Sequence, residues 1–158
     1  MGRKALTTFL ILIGLILLAS VGLGIASHYS TPDVGIIEGK LKACPGNPNC
    51  VCSETYPDVD PSHQIPPIKV STKDIHLPWK LLKQVIVDQG GAIISEREGY
   101  LHAEFTSTVF RFVDDLELRA DQQNGMIHIR STSRVGRSDL GANRKRVEAV
   151  WQAFGEHH

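Results

Sequence analysis

Residues 5–26 are apolar at every position where a soluble helix would turn a polar face outward: 22 residues without a charge, preceded by Arg3 and Lys4. As a helix the run measures about 33 Å, close to the roughly 30 Å of a bilayer's hydrocarbon core. A helix apolar all round is not the half-buried face of a soluble domain. Two outcomes are open, a membrane-spanning anchor and a signal peptide cleaved after the small residues Gly24-Ile25-Ala26. The run exceeds the apolar core of about 7–15 residues usual in a signal peptide, so the anchor is the expected reading. Arg3 and Lys4 then stay cytoplasmic. The expectation is a single-pass inner-membrane protein with its C-terminal domain in the periplasm, or a periplasmic protein if the segment is removed.

After a tether at 27–42 and a proline-rich stretch at 53–72, regular periodicity begins. Leu77, Leu81 and Val85, with Leu82 and Ile86, form an i, i+4 stripe over 77–89. Pro78 suits its first turn, and Gly90-Gly91 ends it. Strands are predicted at 92–97, 100–109, 112–121 and 126–134. Leu101, Ala103 and Phe105 alternate with His102, Glu104 and Thr106, while Leu116, Leu118 and Ala120 alternate with Asp115, Glu117, Arg119 and Asp121. Asn124-Gly125 reads as a two-residue hairpin turn. That register sets Asp115 opposite Arg134, Glu117 opposite Thr132 and Leu118 opposite Ser131. Over 140–154, Val147, Val150, Trp151 and Phe154 repeat as one helical face. The pattern predicts an α+β domain: a four-stranded antiparallel sheet with helices packed on one face, preceded by the transmembrane or signal segment. The divisions are 1–26, 27–42 and 43–157.

Charge and cysteine usage narrow the function classes. The chain has 158 residues, with 17 Lys and Arg against 17 Asp and Glu. No global basic field argues for nucleic acid. Cys44, Cys50 and Cys52 lie within nine residues, and the Pro-Gly-Asn-Pro-Asn turn between the first two draws them together. A Cys44–Cys50 disulfide is expected outside the cytoplasm, with Cys52 left over or replacing one partner. Three thiolates with His63 do not follow a common zinc spacing, so no metal is expected. No cofactor motif is present and no cofactor is expected.

The densest candidate chemistry lies at 130–146, which carries six Lys and Arg residues. Backbone amides at the start of the last helix, with Arg134, Arg137 and Arg144 around Ser138, Asp139 and Asn143, suit an anionic ligand. The plainer alternative is structural: Asp139 or Ser138 caps the helix, and Asp115 pairs with Arg134 or Arg137. Asp114 and Asp115 are neighbours on a strand, so they point to opposite faces and do not form a catalytic pair. His102 and His128 are expected to be exposed on the polar sheet face, without a positioned nucleophile.

Cys44-Pro45, Pro48-Asn49-Cys50-Val51, Phe112-Val113-Asp114-Asp115 and the stretch 131–146 together resemble the DUF1499 family. The likeness covers most of 42–150 and implies one domain without implying an activity. The family pattern has Ser after Cys-Val where this chain has Cys52, which leaves the disulfide partner open. The expected function is therefore a membrane-anchored, periplasm-facing domain that binds an anionic ligand or an envelope protein. Two alternatives are a cell-envelope hydrolase or transferase using Asp115, Arg134, Arg137 and Asp139, and a structural accessory of a membrane complex.

Overall fold

A computed structural model describes residues 2–70 and 74–156. The expected boundaries at residues 1, 72 and 157 lie outside them. In chain order the elements are α1 (Arg3–Tyr29), β1 (Ile36–Ile37), β2 (Lys40–Leu41), β3 (Cys50–Cys52), a 3-10 turn (Pro61–His63), β4 (Ile68–Lys69), α2 (His76–Asp88), β5 (Ala92–Arg97), β6 (Tyr100–Thr106), β7 (Val113–Asp121), β8 (Met126–Ser133) and α3 (Ala142–Glu156). The domain is α+β, as expected, but its antiparallel sheet has six strands. To β5–β8 are added β3 and β4, which share the outer edge of β8.

The apolar side of the pleat is the predicted one. Leu101, Ala103, Phe105, Leu116, Leu118, Ile127 and Ile129 are buried with Leu82, Val85 and Ile86 of α2 and Val147, Val150 and Phe154 of α3. The β7–β8 register differs from expectation. Asp115 pairs with Thr132, Glu117 with Arg130 and Leu118 with Ile129. Asp121 accepts hydrogen bonds from the Asn124 amide (3.1 Å) and side chain (2.9 Å), which holds a four-residue loop with Gly125 at φ 61°. The ladder therefore slips by two residues, and every side chain keeps its face.

The opposite, polar face is not solvated. His102 and His128, expected to be exposed, are 4% and 9% exposed, and Glu117 and Arg130 are buried with them. The cover comes from the segment read as a tether and the cysteine turn. Gly35 donates its N–H to Glu117 (2.6 Å), and Arg130 donates to the Asp33 carbonyl (2.9 Å). Cys44 and Cys50 are bridged. In the chain-entropy picture so short a loop contributes about 2 kcal/mol. Cys52 is reduced and buried, and burial pushes its thiol up to about 11.

α1 is long and apolar enough to cross a membrane. Its last turn is built into the domain. Gly24 lies so close to the loop after β6 that an added Cβ would stand 1.7 Å from the Phe110 carbonyl oxygen. Ser27 is fully buried, donates to the Gly24 carbonyl (2.6 Å) and accepts the Val113 N–H (3.0 Å).

Candidate functional site

Alternation along β7 and β8 puts Asp115, Glu117 and Arg119 on one face with Arg130, Thr132 and Arg134. Buried charges of this kind persist only when paired. Arg134 reaches diagonally to Asp115 with Nε at 2.9 Å and Nη2 at 2.7 Å, and Nη2 also meets Glu104. His102 Nε2 lies 2.7 Å from the same Asp115. Arg130 donates to Glu117 (2.7 Å), which also accepts from the Tyr100 hydroxyl (2.8 Å). Further along, Arg119 meets Glu54 at 2.6 Å, and His128 lies 3.3 Å from the Ser53 hydroxyl. Among the described residues one group, His102, Glu104 and Asp115, has ligand atoms spaced for a metal ion. The Arg134 guanidinium already sits on both carboxylates and opposes a second cation there.

Burial alone would raise the Asp115 carboxyl, but hydrogen bonds from Arg134 and His102 outweigh it and hold it below the ordinary carboxylate range. Burial lowers the His128 imidazole, with Glu54 pulling the other way. Both groups bind a proton less well folded than unfolded. The His128 contribution to stability is therefore complete above about pH 6.5 and is lost below it, and that of Asp115 is complete above about pH 3.9 and is lost below it. Urea midpoints are expected to fall in these two windows on acidification. His128→Gln should flatten the first and spare the second; an unchanged first window would contradict this assignment.

The start of α3 is organised by Asp139, which accepts the N–H groups of Gly141 (3.0 Å) and Asn143 (2.8 Å). Ser138 accepts only a long bond from the Leu140 N–H (3.4 Å). Asn143 is fully buried and donates to the Asn49 carbonyl, Ser133 and Asp139, while its oxygen accepts from Ser131 and Arg146. Arg146 continues to Asp114 at 2.6 Å. Asp114 and Asp115 thus serve different networks, one towards α3 and one across the polar face.

The sequence-predicted residues do not converge on one pocket. Asp115 and Arg134 line a cavity of about 220 Å³ with Asp33, Asn49 and Gly136. Asn49 is 5% exposed, and its side-chain oxygen has no hydrogen-bond partner there. Ser138 and Asp139 line a second cavity, of about 310 Å³, with Leu23, Phe112, Val135 and Leu140. Arg137 is exposed and has no hydrogen bond or ion pair among the described residues, while Arg144 donates to the Ser62 and Gln64 carbonyls. Sequence reasoning missed Asn49, Glu104, Arg130 and Arg146 as network members. The Pro48-Asn49-Cys50 turn was the available signal for Asn49; the other three read as ordinary charged positions.

No curated protein and no solved structure matches this chain. A family model described as "Protein of unknown function (DUF1499)" matches residues 40–154, which takes in every strand from β2 onward, α2 and all but the last two residues of α3. By that match over most of its length, the chain belongs to the DUF1499 family.

Proposed function

We propose that this protein is a membrane-anchored, periplasm-facing binding domain whose ligand is met at the bilayer surface. The observation that carries the reading is the joint at Gly24 and Ser27, which makes the membrane-length helix part of the folded domain rather than a loose leash. A helix so seated holds the domain against the membrane it crosses. Arg3 and Lys4 at its start favour a cytoplasmic N-terminus, and the Cys44–Cys50 bridge suits an oxidising compartment beyond. The buried arginines act as internal counter-ions: Arg130, Arg134 and Arg146 are all engaged by carboxylates. Of the guanidinium groups expected to bind an anion, Arg137 is the one left to solvent.

The test is alkaline carbonate extraction of membranes, with protease added from the periplasmic side. Retention in the membrane with a digestible domain is the expected result. Release by carbonate, or protection of the domain until the inner membrane is opened, would overturn the reading.

A further inference from the structure

The second cavity is bounded on one side by the anchor helix itself. Leu23 belongs to the charge-free run of α1, and the opposing wall is Phe112, Val135 and Leu140 from the loops before β7 and before α3. Its depth in the membrane follows from chain length. Residues 5–23 measure about 28 Å as a helix, against a hydrocarbon core of about 30 Å. With Arg3 and Lys4 at one boundary, Leu23 reaches the other, and the cavity opens where acyl chains meet headgroups.

The rim has the character of that boundary. Leu140, which lines the cavity, is 90% exposed, and Val109, on the loop between β6 and β7, is 75% exposed. Leu140 and Arg111 hold φ of 53° and 60°, left-handed conformations that L side chains rarely adopt. The turn is held by the bonds of Ser138 and Asp139, and it presents the Leu140 side chain outward, where a bilayer would receive it. Arg111 precedes the lining residue Phe112 in the chain and Arg137 lies between the lining residues Gly136 and Ser138; both arginines are exposed beside the cavity's two loops without lining it themselves. The carboxylates lining it are already occupied, Asp114 by Arg146 and Asp139 by the start of α3. The volume, about that of ten water molecules, admits part of an acyl chain.

We propose that this cavity binds an anionic phospholipid of the outer leaflet, its acyl chain against Leu23, Phe112 and Leu140 and its phosphate between Arg111 and Arg137. The proposal rests on the anchored reading above and gives the ligand class for it. The lipid replaces water along a wall that the fold leaves unfilled, and the two guanidinium groups select an anionic headgroup over a zwitterionic one.

The experiment uses the full chain reconstituted in vesicles of phosphatidylcholine with one part in four phosphatidylglycerol, bromine being carried on the acyl chains of one lipid or the other. Leu140→Trp is compared with the parent protein for tryptophan quenching, and Val109→Trp repeats the measurement at a second exposed apolar position, on the loop between β6 and β7. The added indoles are expected to be quenched, with phosphatidylglycerol over-represented by roughly fivefold for each arginine. Arg111→Gln with Arg137→Gln should return quenching to the lipids' statistical share, and inorganic phosphate should leave the enrichment in place. Three results would overturn the proposal: indoles that are not quenched, equal quenching by both lipids, or enrichment abolished by inorganic phosphate. If the indoles are unquenched while carbonate still fails to release the protein, the lipid site fails and the anchor stands. Release by carbonate removes the anchor itself.

Discussion

Arg134→Ala is expected to lower stability by about 3–5 kcal/mol, the usual cost of stranding one member of a buried ion pair. The substitution leaves Asp115 and Glu104 facing each other without their shared cation, in a layer where Asp115 is 1% exposed. Much of the loss is the desolvation of a carboxylate whose partner is gone, not the attraction alone. Asp115→Leu combined with Arg134→Met should therefore recover a large part of it, because the charge and its counter-charge leave together. Arg137→Ala, three residues on, should change the unfolding free energy by no more than about 0.5 kcal/mol, as for an exposed side chain without partners among the described residues. Equal effects at positions 134 and 137 would show that the polar face is not the buried, paired layer described above.

The second large effect is expected at the joint between α1 and the domain. Gly24→Ala places a methyl group 1.7 Å from the Phe110 carbonyl oxygen, well inside contact distance and against backbone that has little room to yield. The last turn of α1 must move away, which also breaks the Ser27–Val113 hydrogen bond. Overpacking of this kind costs about 1–3 kcal/mol, and an orphaned buried N–H adds about 1–3 kcal/mol. Gly14→Ala and Gly22→Ala are the matched controls, since an added Cβ at either meets nothing within 4 Å. Limited proteolysis at 27–34 should accelerate in the Gly24 variant and remain unchanged in the controls. Identical digestion of all three would mean that Gly24 is not seated against the loop.

The parts of this structure legible in the sequence are those governed by periodicity. The i, i+4 stripe of α2 and the alternation of β6 and β7 located the elements and their apolar faces, because burial of one face imposes its period on the chain; Leu77, expected to open the stripe, is the exception and stands 61% exposed in the first turn of α2. Asn124-Gly125 suggested a tighter turn than the one formed, since the Asp121 side chain accepts from both the amide and the side chain of Asn124 and closes a longer loop. The resulting slip is an even number of residues, so Arg134 still meets Asp115, diagonally instead of directly. β3 and β4 are three and two residues long, too short to alternate visibly. The polar face reads as solvated because its cover is local irregular chain from far away: Gly35 and Glu117 are 82 positions apart. The two cavities follow from that distant packing. The Pro48-Asn49-Cys50 turn marks Asn49 as constrained without naming the wall it helps to form, and Leu23 carries no such signal.

Gly24 illustrates the same limit from the other direction. Within Gly24-Ile25-Ala26 it reads as a small residue at a cleavage site, and only the approach of Phe110 reveals that the small side chain is needed for close packing. At this point the membrane-length helix and the domain pack as one body. Hydrogen exchange of the Val113 amide in the full chain, embedded in a bilayer, tests that packing most directly, because that N–H sits at the first residue of β7 and is donated to Ser27 of α1. Strong protection is expected in the parent protein, and near-complete loss of it in Gly24→Ala. Exchange of Val113 in the parent protein at the rate of an open loop would contradict the packing.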